Sequence, residues 1–114
     1  MKKNKPFLKI NNKIINKDSP TFIVAEMSAN HNGNLSTAKE IMLRAKESGA
    51  DAVKLQTYKA ETITINSQKK DFLINHKSPW YEYKTLHNLY NKAHTPWVWH
   101  EELFQFAKEL DLII

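Results

Sequence analysis

The stretch that most constrains the fold runs from Phe22 to Tyr58. Phe22-Ile23-Val24-Ala25-Glu26 is a nearly continuous apolar run closed by a carboxylate. Such runs suit a parallel strand covered on both faces. Asn30-His31-Asn32-Gly33 then breaks the run with turn-forming residues, and Gly33 can take a positive φ. Leu35, Ala38, Ile41, Met42 and Ala45 recur at helical spacing, with Lys39, Glu40, Arg44 and Glu47 opposite, which predicts a helix over 35–48. Asn34 is the expected N-cap, Thr37 with Glu40 an alternative capping box, and Gly49 the left-handed residue at the helix end. Ala52 to Thr57 reads as the next strand. The order strand, helix, strand predicts a parallel βαβ unit with a right-handed crossover.

Three polar residues sit where this unit should be apolar: Glu26, Lys54 and Gln56. Alternation places Phe22, Val24 and Glu26 on one face of the first strand, and Lys54 and Gln56 together on one face of the second. Parallel α/β folds bind ligands beyond the carboxyl ends of their strands, where these residues fall. A buried, unpaired charge is costly, so Glu26 and Lys54 are expected to compensate one another or a ligand. Each also has a plainer reading. Glu26 could be an exposed strand-end charge and Lys54 a surface lysine, though the functional reading is favoured for both; Gln56 reads equally as a structural hydrogen-bonder.

Upstream, Phe7–Ile10 and Lys13–Ile15 flank Asn11-Asn12, a pair that tolerates the backbone of a tight turn, and a short β-hairpin is expected. Residues 1–20 therefore form a hairpin and linker, and 21–114 the main α/β region. Downstream, Thr62 to Ile65 alternates briefly, Asp71 to Ile74 is short and apolar, and Pro79-Trp80-Tyr81 is loop-like, together a long βα loop that could wall a site. Thr85 to His94 reads as a helix. Thr95-Pro96 reads as the cap and first position of the next one, whose stripe is Trp99, Leu103, Phe106, Ala107 and Leu110. Leu112-Ile113-Ile114 reads as the start of a third strand, which makes the chain a fragment of a longer protein on this reading.

Composition removes several function classes. The chain has no cysteine, so disulfides, zinc–thiolate sites and thiol catalysis are out. No apolar run approaches the ~20 residues of a membrane span, and no signal peptide is visible, so a cytoplasmic location is expected. The net charge of +5 owes much to Lys2, Lys3, Lys5, Lys9, Lys13 and Lys17. No nucleic-acid-binding signature accompanies them, so no nucleic-acid partner is expected, and the basic sign also suits an anionic substrate. The histidines His31, His76, His87, His94 and His100 lack a metal-ligand spacing, so no metal ligand is assigned among them.

Phe22-Ile-Val-Ala-Glu26-Met-Ser-Ala-Asn30-His31-Asn32-Gly33, followed by Ala50-Asp-Ala-Val-Lys54-Leu-Gln56-Thr57-Tyr58, resembles the N-terminal signature of the sialic acid synthase family. Met27-Ser28-Ala29, Leu86-His87-Asn88-Leu89-Tyr90 and Thr95-Pro96-Trp97-Val98-Trp99-His100 look most like its pseudaminic acid synthase branch. The resemblance implies the N-terminal part of a (β/α)8 TIM barrel preceded by a short β-hairpin. It implies condensation of phosphoenolpyruvate with a 2,4-diacetamido-2,4,6-trideoxy hexose of altrose type, giving pseudaminic acid and phosphate. By the same resemblance Glu26 is the catalytic residue, and Lys54, Gln56, Asn30 and His31 bind substrate. A divalent metal, Mn or Mg, is implied in a homodimeric parent, with ligands outside this stretch. N-acetylneuraminate and legionaminic acid synthases are the near alternatives. A non-catalytic remnant or basic binding module is the distant one.

Overall fold

The computed structural model describes residues 6–114, so Lys2, Lys3 and Lys5 of the basic leader lie outside the described residues. The hairpin forms as expected. Strand β1 (Leu8–Ile10) pairs antiparallel with β2 (Lys13–Ile15), with Leu8 opposite Ile15 and Ile10 opposite Lys13. Asn11 takes the positive φ of 52° that the turn requires.

Strand β3 (Val24–Glu26) and strand β4 (Ala52–Lys54) pair in parallel, joined by helix α1 (Leu35–Glu47). The Asn34 side chain accepts a hydrogen bond from the Thr37 amide at 3.0 Å, so the first of the two expected caps is the one used. Gly49, at φ +89°, follows the helix. A third chain segment extends the sheet. Val53 N–H donates to the Ile113 carbonyl at 2.8 Å, Ile113 N–H donates to the Asp51 carbonyl at 3.2 Å, and the Ala52–Ile113 bridge is parallel.

Both main strands are shorter than the sequence predicts. At the entry, the Ile23 carbonyl accepts from two amides, Asp51 and Ala52, at 2.9 and 3.1 Å, which is a junction rather than a ladder. At the exit, the Gln56 amide turns away to the Thr95 hydroxyl. Asp51 organises the junction. Its carboxylate accepts from the Ile23 amide at 2.8 Å and pairs with Lys13 of the hairpin at 2.9 Å. The Ile23 amide bond first, and Lys13 second, hold the Asp51 carboxyl below the usual range. A depressed carboxyl stabilises the fold above its unfolded pKa, near 3.8, and that contribution is lost as pH falls through the lower folded value. Asp51→Asn is therefore expected to unfold more readily at pH 6 and to show a shallower loss of stability below pH ~4 than the parent, read by denaturant midpoints across that range.

The core lies on one side of this sheet. Met27, Ala38, Met42, Val53, Leu103, Ala107 and Leu112 are buried together, bringing α1 and helix α4 (His100–Glu109) against β4. Lys39 of α1 pairs with Glu102 of α4 over the top of the contact. The other side of the sheet is open. Ile23 and Val24 are 52% and 46% exposed there or at its edge, beside exposed Glu26 and Lys54.

Between β4 and α4 run helix α2 (Ala60–Ile63), short 3-10 turns at Lys70–Phe72 and Tyr81–Tyr83, helix α3 (Leu86–Ala93) and a 3-10 turn at Trp97–Trp99. One expectation is corrected, and the long loop is found to hold short helical turns: at α2 the Thr62 hydroxyl donates to the Lys59 carbonyl. Thr95 does not cap α4, which begins at His100. Its hydroxyl is taken by the Gln56 amide, 39 residues away in sequence. Thr85 does act as a cap, its hydroxyl accepting from the Asn88 amide at 3.2 Å.

Candidate active site

The β3–β4 register places Glu26 directly opposite Lys54 at the carboxyl ends of two neighbouring parallel strands. Lys54 Nζ donates to Glu26 Oε1 as an ion pair. Sequence alternation predicts both the pairing and the shared face. The burial expected for the pair is absent: the two side chains are 59% and 60% exposed, on the face away from the core. An exposed pair of this kind adds only about 0–1 kcal/mol to stability. A carboxylate and an ammonium side by side, held by backbone register and open to ligands, can neutralise an anion and hold or move a proton.

Gln56 follows as β4 ends. Its backbone exchanges two hydrogen bonds with Thr95, at 3.1 and 2.9 Å, and its Nε2 donates to the Ala93 carbonyl at 2.8 Å. The Tyr58 hydroxyl donates to the same carbonyl at 3.1 Å. The C-terminal end of α3 therefore fixes the orientation of the Gln56 amide, and the structural reading of this residue is observed directly.

The turn after β3 carries Asn30 and His31. Ser28, Asn32 and Gly33 all take positive φ, near 52°, 50° and 70°, which coils the chain tightly. Asn30 is exposed and its Nδ2 donates to the Met27 carbonyl at 3.0 Å. His31 faces inward, 1% exposed, with Nδ1 accepting from the Gly33 amide at 3.0 Å and its ring meeting Trp99 edge-on at 5.2 Å. Burial pushes the His31 pKa down, and a charge on His94 would push it further. Glu26, Lys54 and Asn30 are thus exposed, whereas His31 is turned inward and shielded from solvent.

Thr95, Ala93 and Tyr58 take part in orienting Gln56 and were not legible as such. Thr95 before Pro96 carries the ordinary signature of a helix cap, and no local signal points to a partner on another strand. Among the described residues, no three His, Asp or Glu side chains come together as a metal site. A cleft of about 630 Å³ lies between the hairpin and the Ile113 segment, lined by Asn11, Lys13, Asp51 and Phe104, and neither Glu26 nor Lys54 borders it. No helix among the described residues is long and apolar enough to cross a membrane.

Comparison with known proteins gives concordant matches. The NeuB family model matches residues 41–114, which takes in Lys54 and Gln56. Pseudaminic acid synthase of Helicobacter pylori is 50% identical over 93 residues, 82% of this chain and 27% of that protein. N,N'-diacetyllegionaminic acid synthase of Legionella pneumophila is 57% identical over 49 residues, 43% of this chain and 14% of that protein. The crystal structure of the spore coat polysaccharide biosynthesis protein spsE of Bacillus subtilis superposes with a TM-score of 0.64 at 28% identity, over 94% of this chain and 26% of that one. The chain spans about a quarter of the length of the curated relatives it matches over most of its own length.

Proposed function

The chain belongs to the NeuB family, and on that premise we propose that it supplies the first strands of a (β/α)8 barrel in a phosphoenolpyruvate-dependent nonulosonic acid synthase. The observation that carries this reading is the Glu26–Lys54 pair, exposed at the carboxyl ends of adjacent parallel strands. That end of the strands is where barrels of this class carry their chemistry. A complete barrel takes ~250 residues, and further strands would cover Val24 while leaving the carboxyl ends that bear Glu26 and Lys54 open to ligand.

The reaction joins C3 of phosphoenolpyruvate to the aldehyde carbon of an open-chain amino-sugar. Water adds at C2, and phosphate leaves with cleavage of the C–O bond, so that phosphoenolpyruvate, sugar and water give a nine-carbon acid and phosphate. Lys54 neutralises the anionic substrate, exchanging its bond to Glu26 for one to the ligand. Glu26, freed of that bond, holds a sugar hydroxyl or carries a proton. Asn30 and the Oε1 of Gln56 are the polar groups we assign to sugar contacts. The described residues do not fit a divalent metal site, so no step here runs through one, and Mn or Mg would be held by residues beyond this stretch.

The altrose-type 2,4-diacetamido-2,4,6-trideoxy sugar is the favoured substrate, because similarity to relatives named pseudaminic acid synthase extends over 82% of the chain and that to the Legionella pneumophila protein over 43%. The test incubates the full-length protein with phosphoenolpyruvate and, separately, this sugar, its legionaminic-type stereoisomer and N-acetylmannosamine. Mass spectrometry and NMR of the products are expected to show turnover of the altrose-type sugar above the other two. Equal or greater turnover of either rival would reassign the substrate.

A further inference from the structure

His100 opens α4 with both ring nitrogens in use. Its Nδ1 lies 3.1 Å from the Trp97 carbonyl, and its Nε2 lies 2.6 Å from Thr57 Oγ1. A carbonyl can only accept, so Nδ1 carries the proton of the neutral ring. Nε2 then holds a lone pair, and the Thr57 hydroxyl donates to it. The Phe104 ring, one helical turn further on, stacks on the imidazole with centroids 6.3 Å apart and planes 30° apart. The half-buried ring is thus held at two edges and on one face. No step of the proposed reaction uses it, and no local pattern in the sequence joins it to Thr57, 43 residues earlier.

Thr57 sits where the chain leaves β4, and local bonds determine its backbone only weakly. The Tyr58 N–H donates to the Gln56 carbonyl at 3.2 Å, which makes Thr57 the central residue of a three-residue turn. One such bond is of the same size as the backbone entropy lost in fixing a residue, so the exposed turn needs outside support. Residues 93–100 supply it. Thr95 bonds the Gln56 backbone, Ala93 receives the Gln56 side-chain amide and the Tyr58 hydroxyl, and His100 takes the residue between them. We propose that His100 is a positioning residue: by holding the Thr57 hydroxyl it sets the turn that aims Gln56 Oε1. The proposal rests on the assignment of Gln56 Oε1 to the sugar, and His100 itself touches no substrate.

The two amide side chains separate this role from simple packing. Glutamine at position 100 reaches the place of Nε2 and offers an oxygen lone pair to Thr57. Asparagine reaches only the place of Nδ1 and leaves Thr57 without its partner. Both lose the ring that stacks on Phe104, so a difference between them reports the Thr57 bond alone. Stability is a poor guide here, because a part-exposed hydrogen bond changes the unfolding constant by no more than about tenfold. Catalysis is a sensitive one, since a contact group misplaced by about 1 Å can cost about 100-fold in rate.

Two measurements on the full-length protein test the role. Side-chain 1H–15N correlation spectra are expected to show the neutral His100 ring as the Nδ1–H tautomer. In His100→Ala the Gln56 side-chain amide is expected to exchange about tenfold faster, as for one weakened hydrogen bond. An Nε2–H tautomer, or Gln56 signals unchanged by the substitution, overturns the proposal, and neither readout needs synthase activity. Steady-state kinetics supply the second measurement. His100→Ala is expected to lower kcat/KM for the sugar about 10- to 100-fold and to leave KM for phosphoenolpyruvate within about twofold. His100→Gln is expected to return to within about threefold of the parent, and His100→Asn to stay with alanine. In a Gln56→Ala background, His100→Ala is expected to cost less than about twofold more. A full additive loss in that background, or asparagine as good as glutamine, contradicts the role. A parent that turns over none of the sugars counts against the synthase reading instead, and the spectra then decide the positioning role.

Discussion

Product formation by the full-length protein is expected to fall about 100- to 1000-fold on Lys54→Ala, and by a similar factor on Glu26→Gln, the loss typical when one electrostatic contact to a developing charge is removed. Stability should barely move. The two side chains are more than half exposed, and a pair in that setting contributes about 0–1 kcal/mol. This separation distinguishes a functional pair from a structural one. A structural pair would lose stability first and activity only in proportion to the unfolded fraction. Steady-state rates and denaturant midpoints on the same preparations make the comparison. Turnover near the parent rate in both variants would remove Glu26 and Lys54 from the site.

The largest effect on stability is expected from Leu103→Ala, at about 2–5 kcal/mol. Leu103 is fully buried, on the face of α4 that meets Met42 of α1 and Val53 of β4. Truncating it leaves a cavity that α1 and β4 can close only by moving together, and β4 carries Lys54. Domains of this size are stable by roughly 5–15 kcal/mol, so the substitution removes a large part of the total. A lower denaturant midpoint with an unchanged slope would show it. Val98→Ala is the control: Val98 is 88% exposed, and a change within about 0.5 kcal/mol is expected.

What was legible in the sequence is what short-range physics decides. Asn11 announced the hairpin turn, and Asn34 and Gly49 bracketed α1. The period-2 alternation put Val53 towards the helices and Lys54 away from them, and the parallel register then set Lys54 opposite Glu26. What escaped depends on partners far along the chain. Thr95 carries a helix-cap signature, but Gln56 claims its hydroxyl, and α4 starts at His100, four residues later than a cap at Thr95 would have it. His31 sits among turn-forming polar residues that suggest exposure, yet Trp99 and the Gly33 amide turn its ring inward. The exposure of the Glu26–Lys54 pair was the plainer of two readings and the sequence did not select it, because alternation identifies a shared face but not what covers it.

The central claim is that this segment contributes a working share of a synthase site. It is tested most directly by exchanging residues 22–114 for the matching segment of Helicobacter pylori pseudaminic acid synthase, a relative 50% identical over 93 residues. The folded chimera, checked by its thermal transition, is assayed for phosphate release from phosphoenolpyruvate that depends on added sugar. Sugar-dependent release within about tenfold of the Helicobacter pylori enzyme, abolished by Lys54→Ala in the exchanged segment, is the predicted result. A folded chimera with no sugar-dependent release, or one indifferent to Lys54→Ala, would contradict the assignment.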